Sequence, residues 1–474
     1  MEENRIRLPW YLAIEVSKIL EERYNIKRKP DRNGLLDSSF TIEELRKITY
    51  LEIDNPIQGC LEGVHLLPNL KSIKVKTEAI TAHLQDKDVL SIGDKDIKSI
   101  SICKSLEELS LVNQAKITYL DVSKLEKLQA LTITHNQHLN EVHGMDKLKK
   151  LWELSCYGNN RLFYAGGLDK VIINNPELSK IWLDTLLFPE TIRYNVRRGE
   201  YNQQIIYKLK EISEVGDIKW CESLNGNNAI KINNYQMIQM HNKACEILEK
   251  TIPEGASSRD IIIGIENYLS RNVKYDYDSL KSGHSNTTKV EVAGKELKFR
   301  NGPKKGANGA YNALTKNLCV CEGYTRAMQY LLKLKGINSH NVDCYAGKDT
   351  TYMADGKNET IYTRYKLPDS SEYHSIICID DYDCLYDDPC WNACYYQQGD
   401  KTMPWLLKTK EEISKDHTLS FDERNISNNH LAVPSEVIKR SIDSNELFVK
   451  SRTREQSTNG SRDAIKRRYK RTNY

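Results

Sequence analysis

The sequence predicts a multidomain protein of α/β and α+β class, in which a solenoid of short repeats precedes a separate α+β domain. Strand-like segments with regularly placed leucines recur at a 22-residue spacing in the first half. In the second half, a cysteine opens an amphipathic helix, and a strand carrying a histidine follows it. A chain of 474 residues is also too long for one ordinary core, since domains average about 150 residues.

Composition sets the broad class of the protein. Hydrophobic residues make up 39% and charged residues 28%, so most of the chain can bury a core. The apolar stretches are far shorter than the ~18–20 residues of a membrane span. The apolar run from Leu8 to Ile14 ends at Glu15, unlike a signal peptide. We therefore expect a cytoplasmic protein with twelve mostly reduced cysteines, although export by a route without a signal peptide stays open.

The first 46 residues predict an N-terminal helical cap. Apolar residues from Leu8 to Leu20 recur at helical spacing. Thr41 and Glu44 have the spacing of a capping box, which opens a helix.

A repeat begins near residue 47. Ile73 lies 22 residues after Leu51, Leu131 lies 22 residues after Leu109, and Leu151 is placed next, after a further 20 residues. The pattern L-x-x-L-x-L at intervals of ~20–29 residues is the signature of a leucine-rich repeat, in which each unit supplies one short strand. An ordinary α/β domain with leucine-rich strands is the alternative.

Further residues complete the predicted repeats. Asparagines follow several strands, where their amides can bond backbone groups of the turn; they are Asn113, Asn136 and Asn159. Leu178, Ile181 and Leu183 predict the last strand. The segment from Cys60 to Val75 resembles the repeat unit of bacterial leucine-rich repeats. That resemblance implies a curved scaffold that binds a protein partner.

Cys321 is the candidate nucleophile. The residues after it place apolar side chains on one helix face, and Gly336 is suited to end that helix. Cys321 would then sit at the helix amino terminus, where unpaired N–H groups and the helix dipole favour a thiolate. A thiolate is the form that a cysteine nucleophile needs. A cysteine buried inertly in a core is the alternative.

His374 and Asp388 are the candidate base and its orienting carboxylate. His374 lies in a strand with two distinct faces, and the acidic run from Asp380 to Asp383 predicts a turn. A hairpin centred on Asp381 pairs His374 with Asp388, close enough for the carboxylate to hold the imidazole. The spacing thus predicts the His–Asp half of a Cys-His-Asp triad. A competing interpretation is a zinc site built on Cys319, Cys321, Cys390 and Cys394, but their spacing does not match common structural zinc patterns.

Residues 241–425 resemble the transglutaminase-like superfamily of papain-like cysteine enzymes. The resemblance rests on four motifs in order: NYLSRNVKYDYD (267–278), GAYNALTKNLCVCEGYTRAMQYLLKLKGI (309–337), EYHSIICID (372–380) and YDDPCWN (386–392). WLLKTKEEISKDH (405–417) is similar to the family's closing stretch. By position, the resemblance implies nucleophile Cys321, base His374 and orienting Asp388. Ser375-Ile376 departs from the Ala-Trp or like pair that often follows the histidine.

The implied activity is acyl transfer from protein amides. The thiolate attacks a peptide bond or a glutamine side chain, and a thioester forms. Water then gives proteolysis or deamidation, whereas a lysine amine gives a crosslink. The implied partners are a protein or peptide substrate and a protein bound by the repeats. No metal or other cofactor is expected. A catalytically inactive domain that serves as a binding scaffold is the alternative.

The chain therefore divides into five predicted segments: a helical cap (1–46), leucine-rich repeats (47–190), a connecting segment without clear period (191–240), the transglutaminase-like domain (241–425) and a basic tail (426–474). Residues 451–474 carry eight Lys/Arg and two acids, a charge of +6. With a total of +4, the rest of the chain sums to −2 and shows no nucleic-acid signature. The tail could contact acidic partners, RNA or a membrane surface, although a solvated, flexible tail is the commoner case.

Overall fold

A computed structural model describes residues 5–28, 37–77, 90–189, 199–222, 230–279, 287–292, 295–300, 306–346 and 372–419. The chain forms two compact units. Among the described residues, the first unit contains those up to Cys245 together with Asp276–Cys319. The second contains Glu246–Tyr275, 320–346 and 372–419. The predicted basic tail, 426–474, lies outside the described residues.

The N-terminal part of the first unit contains two helices. Strand β1 (Arg5–Arg7) pairs antiparallel with β2 (Ser39–Thr41), and helix α1 (Trp10–Tyr24) lies between them in sequence. Helix α2 (Ile42–Arg46) starts at the predicted capping box. There the Glu44 N–H donates to Thr41 Oγ1 at 3.1 Å, and the Thr41 N–H donates to Glu44 Oε2 at 2.7 Å.

An eight-stranded sheet forms the core of the first unit. Its strands are β3 (Tyr50–Asp54), β4 (Ser72–Lys76), β5 (Glu108–Val112), β7 (Ala130–Thr134), β9 (Glu153–Tyr157), β11 (Lys180–Asp184), β12 (Asp217–Glu222) and β13 (Ile230–Ile232). All neighbours up to β12 are parallel, and β13 is antiparallel to β12. One short parallel strand per repeat is the geometry of a leucine-rich-repeat solenoid.

The sheet register tests the predicted repeat positions. Leu51 pairs with Ile73, and Leu109 pairs with Leu131, as the 22-residue spacing predicts. The placement of Leu151 as the next equivalent is wrong, because Leu131 pairs with Leu154. The loop before β9 is longer than the preceding ones, so Leu151 precedes its strand.

The solenoid also extends beyond the predicted last strand. β11 forms where predicted, but β12 pairs with it in parallel, with Ile181 opposite Ile218. The stretch that showed no period supplies helix α5 (Gly199–Val215), β12 and β13. A second, three-stranded parallel sheet contains β6 (Tyr119–Asp121), β8 (Glu141–His143) and β10 (Tyr164–Ala165). Helices α3 (Asp94–Ser101) and α4 (Leu168–Asn174) complete the repeats.

A ladder of buried amide side chains joins successive turns. The Asn136 N–H donates to Asn159 Oδ1 at 3.0 Å, and the Gln114 N–H donates to Asn136 Oδ1 at 2.8 Å. Asn136 Nδ2 also donates to the Leu111 carbonyl at 3.1 Å. The predicted role of Asn136 and Asn159 is therefore confirmed. Asn113 takes a left-handed turn conformation instead, with φ 58°, and Gln114 occupies the ladder position.

The remaining elements of the first unit follow the repeats. They are helix α6 (Asn234–Thr251), which continues into the second unit, strands β15 (Thr287–Val292) and β16 (Lys295–Arg300), helix α8 (Ala310–Lys316) and strand β17 (Leu318–Cys319). β15 and β16 form an antiparallel hairpin.

The second unit packs helices against an antiparallel sheet. The sheet has the order β20 (Leu385–Asp387), β19 (Glu372–Ile379), β18 (His340–Ala346) and β21 (His417–Leu419). The helices are α7 (Ser258–Asn272), α9 (Cys321–Leu334), α10 (Pro389–Gln397) and α11 (Lys410–Ile413), and β14 (Lys274–Tyr275) follows α7. One sheet face forms a core with Val342, Ile376, Tyr386, Ile413 and Leu419.

None of the helices that the structure describes combines the length and the apolar composition that a membrane crossing requires.

We expect Asn136→Ala to lower the free energy of unfolding of the repeats by about 2–4 kcal/mol, because it leaves the buried Gln114 N–H and Leu111 carbonyl unpaired. Urea denaturation followed by circular dichroism measures the change. Asn69→Ala is the matched control, since Asn69 makes an exposed hydrogen bond to Arg46 and should cost ~0.5 kcal/mol or less. Equal losses in both variants would contradict the ladder.

Candidate active site

Cys321 lies at the first residue of helix α9, as predicted. The residue before it, Val320, is the N-cap, and its carbonyl accepts from the Gly323 N–H at 2.9 Å. The helix ends at Leu334, and Gly336 follows with φ 74°. Most of α9 is buried, but Cys321 is half-buried. Its thiol thus combines access to solvent with a helix start that favours negative charge.

The hairpin that carries His374 differs from the predicted one. Cys378 pairs with Tyr386 and Ile379 with Leu385, so the turn is centred on Tyr382 and β20 ends at Asp387. Direct pairing of His374 with Asp388 is therefore wrong. Asp383 and Cys384 both adopt positive φ, 56° and 53°, and this longer turn shifts the register.

Asp388 nevertheless reaches His374, because it leaves the strand and becomes the N-cap of α10. Its Oδ1 accepts from the Trp391 N–H at 3.0 Å, and Pro389 stands at the helix start. Its Oδ2 lies 2.9 Å from His374 Nε2. The carboxylate is fully buried, so capping and the imidazole together satisfy a charge that water cannot reach.

The thiol meets the other side of the same imidazole. The Cys321 side chain hydrogen-bonds His374. Because Asp388 occupies Nε2, the nitrogen that faces Cys321 is Nδ1. The three predicted site residues are therefore in contact in the order Cys321, His374, Asp388.

Electrostatics favours a charged His374. Burial by itself lowers the pKa of His374, but the Asp388 charge, the Asp388 hydrogen bond and the Cys321 contact outweigh it and raise the pKa to about 10. Burial likewise raises the pKa of Asp388, but His374 and then His417 hold it well below its usual range. An imidazolium beside a thiol is the partner that stabilises a thiolate.

His417 belongs to the site, although the sequence gave it no role. Its Nε2 lies 3.0 Å from Asp388 Oδ2, and its Nδ1 lies 3.4 Å from Asp416 Oδ1. The side chain is fully buried in β21. The Trp391 ring lies against both imidazoles, with centroids 4.6 Å from His417 and 5.5 Å from His374. A strand of three residues is too short for its pattern to predict, so only the similarity of 405–417 to the family's closing stretch pointed there.

Two further carboxyls lie near Asp388. Burial raises the pKa of Glu266 to about 8, and burial and then Glu266 raise the pKa of Asp387 well above its usual range. Asn392 Nδ2 donates to Asp387 Oδ1 at 2.9 Å. Because this pair retains protons near neutral pH, the negative charge of the cluster resides on Asp388.

Two groups of side chains could each surround a metal ion, with donor atoms within 4.8 Å of one another. They are His374 with Asp388 and His417, and His340 with Cys378 and Asp380. In both, direct hydrogen bonds of 2.9–3.0 Å already join imidazole to carboxylate. The described part of the chain does not bring together the cysteines of the predicted zinc alternative as a ligand group.

Comparisons with known proteins add little to this geometry. No protein-family model matches the chain, and no curated protein matches it. Among solved structures, the chain is similar to an internalin (inlF) from Listeria monocytogenes str. 4b, with 16% identity and a TM-score of 0.21. The match covers 36% of this chain and 55% of the internalin chain, so it spans about half of that structure. The repeat assignment therefore rests on the register of the parallel sheet, and the site rests on its own contacts.

We expect Asp388→Asn to lower the pKa of His374 from about 10 toward the ordinary value of 6.5, because the carboxylate charge is lost while the helix cap is kept. Histidine ¹⁵N NMR titration measures this pKa. Asp380→Asn, which alters the His340 pair in the same sheet, should leave His374 unchanged. The stability of the native protein follows the same sign: protonated His374 stabilises the fold fully below pH 6.5, and this contribution is lost as the pH rises to about 10. An unchanged His374 pKa in Asp388→Asn would contradict the assignment.

Proposed function

We propose that the second unit is a thiol-dependent acyl-transfer enzyme that acts on protein amide bonds. Cys321 is the nucleophile, His374 the general base and acid, and Asp388 the group that orients His374. The observation that carries the proposal is the unbroken series of contacts from the half-buried thiol at a helix start, through His374, to a fully buried carboxylate. The resemblance of residues 241–425 to the transglutaminase-like superfamily supports the same roles.

The reaction begins with proton transfer from the Cys321 thiol to His374 Nδ1. The thiolate attacks the amide carbonyl carbon, so a C–S bond forms and the carbonyl oxygen becomes an oxyanion. The Cys321 backbone N–H, the first of helix α9, donates to that oxyanion. When the tetrahedral intermediate collapses, the C–N bond breaks and His374 protonates the leaving amine. The substrate acyl group then remains on sulfur as a thioester.

The second stage fixes the product. His374 takes a proton from water or from a primary amine, and the nucleophile releases the acyl group from Cys321. Water yields proteolysis or deamidation, and an amine yields a crosslink. The Trp391 ring covers His374 and limits access of bulk water to that side of the imidazole.

We further propose that the leucine-rich repeats bind the protein substrate or another protein partner. A solenoid of parallel strands presents an extended surface built from one position of every repeat, which suits protein recognition. The twelve cysteines are all unpaired, and a reducing compartment such as the cytoplasm would keep Cys321 active.

Selective alkylation tests the nucleophile. We expect iodoacetamide to modify Cys321 at least ~10-fold faster than the other half-buried cysteines, and His374→Ala to remove that advantage. Mass spectrometry of tryptic peptides gives the rates. Cys245→Ala is the control, because Cys245 is equally half-buried on helix α6 and should leave the fast reaction intact. If Cys321 reacts no faster than Cys245, the proposed nucleophile is wrong.

Product analysis tests the reaction class. We expect incubation with a protein mixture, with and without a primary amine, to yield new termini, deamidated glutamines or amine adducts. The Cys321→Ala variant should yield none of them, since every route passes through the thioester. Products that persist in Cys321→Ala would assign the activity to another group.

A further inference from the structure

One carboxylate oxygen of Asp388 serves two imidazoles. His374 Nε2 lies 2.9 Å and His417 Nε2 lies 3.0 Å from the same Oδ2. An ionised carboxylate only accepts hydrogen bonds, so both nitrogens carry the hydrogen and donate it. All three side chains are buried, with Asp388 and His417 fully so, and no solvent dilutes the competition.

Two donors on one oxygen weaken each other. Each N–H draws electron density from Oδ2, and the share that reaches His374 falls when His417 is present. His417 is itself held in place by the contact of its Nδ1 with Asp416 and by the Trp391 ring. The second donor is therefore a fixed part of the site.

The proposed reaction gives this competition a purpose. His374 must hold a proton while Cys321 is a thiolate and must then release it to the leaving amine. A general acid works best when its pKa lies near the working pH, and the pKa of His374, about 10, already lies on the high side. A buried carboxylate with a single partner would hold that proton more tightly still.

We propose that His417 is a positioning residue that shares the Asp388 carboxylate with His374 and so leaves His374 able to give its proton to the leaving amine. The proposal rests on the proposed function of the same site. His417 does not touch the reacting atoms and acts through Asp388.

Other titratable groups act on the same carboxylate or histidine from the elements packed around them. They are Cys321 on α9, Cys344 on β18, Glu266 on α7, Asp387 on β20, Cys390 on α10 and Asp416 before β21. Burial raises the pKa of the two thiols Cys344 and Cys390 well above their usual range, so they stay neutral near pH 7. The variants below leave all six unchanged, so a difference between them reports the His417 donor.

The test compares His417→Leu, which cannot donate, with His417→Gln, whose side-chain amide can replace the Nε2 donor. His417→Asn, whose amide is too short to reach Asp388, replaces the leucine variant if that one does not fold. Two probes separate the thiolate from the acid. Iodoacetamide alkylates the thiolate and expels iodide without a proton. N-acetylglycine nitrile forms a thioimidate, in which the thiolate adds to the nitrile carbon and the nitrogen takes the proton of His374.

In His417→Leu we expect iodoacetamide alkylation of Cys321 to stay within ~3-fold of the native rate, and thioimidate formation to weaken ~10-fold. The nitrile is measured by its protection of Cys321 from iodoacetamide. The pKa of His374, followed by ¹⁵N NMR, should rise above its native value. His417→Gln should restore both. Equal losses with the two probes, or a His374 pKa that is unchanged or lower, would overturn the proposal, since a merely structural role predicts them.

The failure of this proposal and that of the proposed function are distinguishable. If native Cys321 shows no selective alkylation, the enzyme assignment fails, but the NMR titration still tests whether His417 competes for Asp388. His340→Leu is the matched control, because His340 pairs with Asp380 in the same sheet and should not change the His374 pKa.

Discussion

The buried carboxylate of Asp388 is the interaction on which the second unit depends. A charge with no access to water is costly unless donors surround it, and breaking such a set leaves the charge uncompensated. Asp388 meets this constraint with the Trp391 N–H on one oxygen and two imidazoles on the other. It therefore joins the end of β20, the start of α10 and two further strands, β19 and β21. Fold and chemistry share the same residue.

The helix that carries the thiol is fixed to this arrangement through α7. The carbonyl of Val273, which follows α7, accepts from Tyr324 Oη on α9 and from Gln397 Nε2 on α10, both at 2.7 Å. Thr325 and Ser375, whose hydroxyls are 3.4 Å apart, join α9 to the strand that carries His374. Because α9 is anchored at successive turns, Cys321 has little freedom to move away from the imidazole. Preorganisation of this kind is what a covalent mechanism needs.

The sequence was sufficient for features set by local periodicity. The 22-residue spacing predicted the parallel register of Leu51 with Ile73, and helical spacing predicted that Cys321 begins a helix. Features set by non-local geometry were not accessible. The longer loop before β9 misplaced Leu151, and two residues with positive φ shifted the hairpin, so that Asp388 meets His374 as a helix cap rather than as a strand partner. His417 lies in a three-residue strand far along the chain, and only folding brings it to Asp388.

The most direct test of the account is low-field proton NMR of the native chain at neutral pH. Imidazole N–H groups that donate to a buried carboxylate exchange slowly and resonate at unusually low field. The account predicts two such resonances, one lost in His374→Gln and the other in His417→Leu, and both shifted in Asp388→Asn. A single resonance, or two that respond to different carboxylate variants, would contradict the claim that one carboxylate holds both histidines.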